Sequence, residues 1–348
     1  MLEKKAIELQ QILENTIDGK KVFGCNFAMK YQNEFWQGTA GNFEIDDSYF
    51  IASTTKLFTT ALILNLRASG ALSLNDPIHL YLDKSIIDSL LVFKGTDYSQ
   101  KITIQHLLSH SSGLADYFQD KESNGNSWED ELKQGRDKAW TFEKVITKTK
   151  NMRPKFAPGS NGKAHYSDTN FQLLGKIIET ITGKNYTSFC EEKIIQPLQL
   201  KHTYLYENPN DQTPHAMYYK NGVLNIPQAM ASFKSDGGMV SNTKDLLCFT
   251  EAFFNGQLFP KAYINELQVW NRIFFPMQSG IGIHRFKLPW IFNPTGAVPE
   301  LIGHSGLSGT LAYYSPKHEL FIVGTVNQIA YPDLSFKTAI KLIRKAIQ

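Results

Sequence analysis

The chain has 348 residues, enough for two hydrophobic cores rather than one. Hydrophobic residues make up 42% and charged residues 20%, which excludes a disordered, collagenous or coiled-coil chain. The 36 basic and 33 acidic side chains leave a net charge of +3, and the bases fall in short pairs such as Lys4-Lys5 and Lys20-Lys21, which argues against a nucleic-acid partner.

Ile7, Ile12, Leu13 and Ile17 fall on one helical face, so the first twenty residues read as a docking helix. That stretch mixes acids and bases without an apolar core and does not read as a signal peptide; the compartment stays open between the cytoplasm and a mature exported form. Two strand-like runs, 21–30 and 34–40, are split at Gln32-Asn33 as in a hairpin. From 53 to 69 the only charges are Lys56 and Arg67, and Gly70 supplies a stop. A helix apolar nearly all round is a buried one. Its greasy part, 57–66, is about half a membrane span, so no membrane span is expected.

From about 74 to 234 helical segments dominate, at 104–109, 141–148, 170–182 and 187–195, with Gly- and Pro-bearing loops between them. Strand signals return past Ser235: 308–315 and 319–327 flank a turn at Pro316-Lys317-His318, and 333–347 is a closing amphipathic helix. Strands at both ends with helices between predict one sheet domain from 1–74 and 235–348 and an inserted, mostly helical domain from 75–234, with the active-site cleft between them. Cys25, Cys190 and Cys248 are too scattered for a disulfide framework or a cysteine zinc site.

Three segments carry chemistry. Ser53 and Lys56 stand three apart at the head of the buried helix, on one face. The helix N-terminus adds unpaired N–H groups and partial positive charge, which suits a serine nucleophile whose acyl intermediate develops an oxyanion. Burial disfavours the charged form of the amine, leaving it able to accept a proton. Tyr166 stands in a loop just before a helix; beside a cationic Lys56 its phenol is expected to ionise more easily, deprotonate Ser53 and later protonate the leaving group. Third, Gly303, Gly306 and Gly309 let a backbone approach a ligand closely. Within that box His304 and Ser305 are candidates to contact a substrate carboxylate or carbonyl, and the Leu307 N–H to complete an oxyanion hole. His106 and His110, four apart, lack the glutamate of HExxH, so no metal is expected. The sequence has no G-x-S-x-G, Walker A or G-x-G-x-x-G, and no cofactor is expected.

Together these segments resemble the serine β-lactamase and penicillin-binding-protein family, in the branch of class C β-lactamases, D-Ala-D-Ala carboxypeptidases, D-aminopeptidases and related esterases. Further landmarks lie in family order at 106–114, Pro158-Gly159, 166–175, 197–200 and 236–241. The resemblance implies a β-lactamase/transpeptidase-like fold of α/β plus all-α type, an antiparallel sheet flanked by helices with an inserted helical domain. It implies Ser53 as acylated nucleophile, Lys56 and Tyr166 as its proton-handling partners, and the N–H groups of Ser53 and Leu307 as oxyanion hole. Ser305 and Gly306 belong to the substrate-binding box. Asp168 stands where the Y-x-N motif usually has Asn, Asn170 is expected to cap the following helix, and His304 replaces the usual Lys. Both departures weaken the hold on β-lactam carboxylates. Arg285 (or His284) matches a basic residue that grips a substrate's C-terminal carboxylate in some relatives.

The function so implied is a serine hydrolase working through an acyl-enzyme, of esterase or D-Ala-D-Ala carboxypeptidase/D-aminopeptidase type. Its substrate would be a small ester, a D-amino-acid peptide or a β-lactam. The alternatives are a class C-like β-lactamase and, outside catalysis, a non-catalytic penicillin-binding sensor or scaffold.

Overall fold

The hairpin expected at Gln32-Asn33 is present in the computed structural model, which describes residues 2–123, 125–294 and 296–348. Strands β1 (Gly24–Tyr31) and β2 (Glu34–Gly41) meet in a two-residue turn with φ of 52° at Gln32 and 65° at Asn33. This is the mirror-image turn whose twist matches that of the strands. Short strands follow: β3 (Ser48–Phe50), β4 (Val92–Phe93), β5 (Thr96–Asp97), β6 (Tyr204–Leu205), β7 (Met217–Tyr219), β8 (Gly222–Leu224) and β9 (Met239–Asn242). The C-terminal part adds β10 (Asn271–Phe274), β11 (Met277–Ser279), β12 (His284–Phe286), β13 (Leu301–Ser305), β14 (Thr310–Ser315) and β15 (Leu320–Thr325). Both chain ends enter one antiparallel sheet ordered β10-β11-β12-β13-β14-β15-β1-β2, while β9 sits between β3 and β6 in a small second sheet.

Period-two alternation gives the large sheet two buried faces. Phe27, Met29, Leu311, Tyr313 and Ile322 point to the side of α1 (Leu2–Glu14), while Ala28, Ala312 and Val323 point to the side of α2 (Thr55–Ala68). The stripe that α1 buries is Leu2, Leu9 and Leu13, at spacings of seven and four, whereas Ile7 is 86% exposed and Ile17 lies beyond the helix. The expected docking helix is therefore present, with Ile12, Leu13 and Ile17 packed on the sheet core as expected and Ile7 alone of that set exposed.

In chain order α2 is followed by α3 (Lys84–Ile87), α4 (Ile104–Leu108), α5 (Trp128–Lys133), α6 (Phe142–Asn151), α7 (Asp168–Thr182) and α8 (Tyr186–Cys190). Then come α9 (Pro227–Phe233), α10 (Thr243–Asn255), α11 (Tyr263–Glu266) and α12 (Asp333–Ile347), the last lying beside α1. Helix α2 is buried along nearly its whole length, between the sheet, α7 and α10. A helix in that position has no solvent face, which is why its sequence shows no polar stripe. Cys25 and Cys190 are buried and Cys248 exposed, all three as free thiols. Among the described residues no helix is long and apolar enough to cross a membrane.

Candidate active site

Strand β3 hands the chain to α2 through one 3₁₀ turn, Ala52–Thr54. Phe50 pairs with Val240 of β9, and the Ile51 N–H donates to the Met239 carbonyl at 3.0 Å, so the approach to Ser53 is clamped by a sheet. Ala52 has φ of +46°, a left-handed conformation for a residue with a Cβ. Such strain costs about 1–3 kcal/mol and persists only where the surroundings enforce it. Beyond this kink Ser53 faces the cleft.

One turn later the fully buried Lys56 donates through Nζ to Asp168 Oδ1 and to the Asp236 carbonyl, each at 2.5 Å. Asp168, expected as a substrate contact, is thus the lysine's ion-pair partner and also lines the cavity beside Ser53. A buried ammonium needs a counter-charge, and the first turn of α7 supplies it. The Asp236 carboxylate in turn accepts from the Tyr117 hydroxyl at 2.8 Å and Gln172 Nε2 at 3.1 Å. Burial, and then the neighbouring Asp168 carboxylate, push the carboxyls of Asp116 and Asp236 well above the usual carboxylate range.

The Tyr166 hydroxyl donates to Ser53 Oγ at 2.8 Å, and Lys56 Nζ lies 5.1 Å from the tyrosine ring centre. Burial and the Asp168 carboxylate raise this phenol well above its ordinary value, opposite to the easier ionisation expected from Lys56. Burial comes first among the causes, and Lys56 brings its own carboxylate, which adds to it. Around the tyrosine, the His165 N–H donates to the His110 carbonyl at 2.8 Å and the Ser167 N–H to His110 Nδ1 at 3.1 Å. Asn170 does not cap α7: Ser167 holds the N-cap position, and Asn170 Oδ1 accepts from the Ser112 hydroxyl at 2.7 Å in the interior.

From the opposite side, β13 brings His304, Ser305, Gly306 and Leu307 to the cleft. A Cβ at Gly306 would lie 2.4 Å from the Ile51 carbonyl oxygen and 3.2 Å from the Ser53 nitrogen, so only glycine lets this backbone lie against the nucleophile turn. His304 is buried, and its Nδ1 donates to the Ser305 carbonyl at 2.8 Å. Burial, the adjacent His284 and Lys56 hold it well below the usual imidazole range. His304, expected as a cationic carboxylate contact, lines the cleft and is held towards its neutral form. His284 stacks on it at 4.0 Å between ring centres and is pulled down to about 3 by burial and by Lys56. Arg285 is absent from the cleft lining: its Nε donates to Gln278 Oε1 at 2.8 Å and its guanidinium lies over Trp270. Its neighbour His284 is the residue that lines the cleft.

Two cavities meet at Ser53, Gln119 and Leu307. The smaller, of about 60 Å³, is walled by Phe118, Met217, Ile226, Met230 and Phe233. The larger, of about 330 Å³, is walled by Phe274, Phe275, Met277, Phe286 and Phe336. Charge in the first is confined to Asp168, Asp236 and the Glu129–Lys133 pair, and in the second to Asp333, which is paired with Lys337. Reasoning from the sequence left Tyr117 and Asp236 out of the site and treated His110 as packing. Asp236 does lie in a recognised landmark, but its partners are more than sixty residues away in sequence, so no local spacing betrays it.

The Beta-lactamase family model matches residues 16–346. A putative D-alanyl-D-alanine carboxypeptidase of Escherichia coli K12 is 26% identical over 361 residues, covering 93% of this chain and 78% of that protein. Among solved structures, the D-stereospecific amidohydrolase from a Streptomyces species is 28% identical with a TM-score of 0.77, covering 93% of this chain and 95% of the other. The D-amino acid amidase of Ochrobactrum anthropi SV3 shares the fold at 20% identity and a TM-score of 0.78, covering 96% and 99%. The matched range, 16–346, includes every segment that converges on Ser53, and so the chain belongs to the Beta-lactamase family, as a serine hydrolase.

Proposed function

We propose that the protein hydrolyses esters or amides of apolar acids, D-amino acid amides among them, through an acyl-enzyme on Ser53, in preference to peptides ending in a free carboxylate. The observation that carries this reading is the lining of the two cavities. It is apolar on both sides of Ser53, its one ammonium (Lys133) is committed to Glu129, and both cleft histidines are neutral. A carboxylate entering such a site loses hydration without gaining a counter-charge. The same argument disfavours β-lactams, which carry a carboxylate, as preferred substrates. The names of the amidohydrolase and amidase neighbours agree with an amide substrate.

In the reaction Ser53 Oγ attacks the acyl carbon while Tyr166, bonded to it at 2.8 Å, relays the proton to the leaving group. With its phenol pKa raised, Tyr166 works as a relay that takes one proton as it gives another, and Lys56 offsets charge that develops on the phenolic oxygen. The backbone N–H groups of Ser53 and Leu307, brought side by side by Gly306, serve as the oxyanion hole.

The test is a substrate panel. A neutral nitrophenyl ester and D-phenylalanine amide are expected to exceed a D-Ala-D-Ala peptide in kcat/KM by at least about a hundredfold, or roughly 2.7 kcal/mol. Ser53→Ala is expected to abolish acyl-enzyme formation, seen by intact mass, in a folded protein. Faster hydrolysis of the carboxylate-terminated peptide would overturn the substrate class, and turnover surviving in Ser53→Ala would overturn the mechanism.

A further inference from the structure

His110, His284 and His304 come from three distant parts of the chain, and one ring nitrogen of each lies within 4.8 Å of the others. The Nε2 atoms of all three are buried and have no hydrogen-bond partner among the described residues. Buried polar atoms are normally hydrogen-bonded, so three unpartnered nitrogens on rings clustered this closely call for a common ligand. Two of the three rings, His284 and His304, line the cleft that holds Ser53. The Tyr166 ring packs against all three, with ring centres 4.6 Å from His110, 5.9 Å from His284 and 6.5 Å from His304.

A three-histidine set suggests a transition metal, but two observations oppose one. His110 Nδ1 accepts the Ser167 N–H, so the neutral ring carries its proton on Nε2 and has no lone pair there for a metal. The rings of His284 and His304 are stacked at 4.0 Å with 26° between their planes. Their lone pairs therefore lie in two nearly parallel planes, an arrangement poorly suited to placing both nitrogens about 2.0–2.1 Å from one metal centre. The polarity of the back-bonds points to another ligand. His110 Nε2 is a donor, while His304 Nδ1 gives its proton to the Ser305 carbonyl and leaves Nε2 as an acceptor. A donor on one ring and an acceptor on another in the same cluster suit a water molecule, which accepts from the first, donates to the second and keeps one O–H free.

We propose that His110, His284 and His304 cage one water molecule beside Tyr166, and that this water hydrolyses the acyl-enzyme on Ser53. The proposal rests on the acyl-enzyme reading above. In the step, the water oxygen bonds to the acyl carbon as the bond from that carbon to Ser53 Oγ breaks. Tyr166 gives its phenolic proton to Ser53 Oγ while one water proton passes to the phenolic oxygen, which releases the free acid and restores both hydroxyls. The histidines hold the water; they are positioning residues.

The experiment separates acylation from deacylation in the full chain, by stopped-flow release of nitrophenol from a neutral nitrophenyl ester. His284→Phe keeps the stack on His304 and removes a buried unsatisfied nitrogen, so it should fold; His284→Gln is the second variant. In both, the acylation burst is expected to stay within about threefold of wild type while steady-state turnover drops at least about thirtyfold. The acyl-enzyme should accumulate in the intact-mass spectrum, and added hydroxylamine, an external nucleophile, should restore turnover in the variants more than it speeds wild type. Burst and turnover falling together, or neither changing, would overturn the cage. So would one-to-one zinc binding to wild type, by calorimetry with the metal alone, that His304→Gln abolishes. Absence of any covalent acyl species in wild type would instead refute the acyl-enzyme reading itself.

Discussion

At the scale of single residues, the decisive contact is the one between Lys56 and Asp168. The pair is buried on both sides, and removing one partner of such a pair costs about 3–5 kcal/mol because the other charge is left unpaired. Asp168→Asn is therefore expected to lower stability by about 3 kcal/mol, since the amide can still accept one hydrogen bond, and to lower kcat as well. The double variant Lys56→Met/Asp168→Leu removes both charges and should recover most of the stability while remaining inactive. Denaturant melts alongside ester turnover check both outcomes; equal loss of stability in single and double variants would mean that packing, not charge, holds the two helices together. That Ser53, Lys56 and Tyr166 belong to one candidate site was legible from residue type and order, and the three do meet in the structure. The partner of the lysine was not, because a carboxylate at 168 reads equally well as a substrate contact until the distance to Nζ is known.

Among the elements, the end of β13 and the hairpin of β1 and β2 make opposite use of backbone conformation. Gly306 is required for a close approach, since a methyl there collides with the Ile51 carbonyl oxygen. Gly306→Ala should cost about 1–3 kcal/mol of stability and depress ester kcat more than it raises KM, because the strand that carries Leu307 is pushed away from Ser53. A change in KM alone would show that the approach serves binding only. In the hairpin, Gln32 and Asn33 adopt positive φ without being glycine. Gln32→Asn with Asn33→Gly places the preferred pair at this turn and should raise stability by about 0.5–1 kcal/mol with activity unchanged, as read from thermal melts and ester turnover. The turn itself was visible as two polar residues between apolar runs. The face of α1 was visible in part: Ile12, Leu13 and Ile17 do pack on the core, whereas Ile7 is exposed and packing against the sheet and α12 selects Leu2 and Leu9 instead.

For the whole molecule, the joining of distant segments has a consequence for pH. His110, His284 and His304 are held neutral when folded, whereas in the unfolded chain they take up protons near pH ~6.5. Below that pH the unfolded state binds more protons, so each histidine's contribution to stability, full above ~6.5, is lost at up to about 1.4 kcal/mol per pH unit as the pH falls towards its folded value, about 3 for His284. Asp116 and Asp236, with raised values, act in the opposite sense: the folded state keeps their protons as the unfolded chain loses them, so their contribution declines as the pH rises. Comparing His284→Phe with wild type cancels the carboxyl contribution. The variant should gain relative stability at up to about 1.4 kcal/mol per pH unit on acidification from pH 6.5 to 5, measured by denaturant melts; a pH-independent difference would mean that His284 titrates normally when folded. The amino-acid order by itself determined the buried helix behind Ser53, the hairpins, the closing helix and the choice of Ser53, Lys56 and Tyr166 as the candidate catalytic set. Each of these is written in local periodicity, turn residues or motif spacing. Tertiary structure alone decided which charges meet and which stay neutral. The neutrality of His304, the pairing of Asp168 with Lys56 and the convergence of three histidines all depend on groups tens to hundreds of residues apart, and burial and Coulomb interactions act through space, not along the chain.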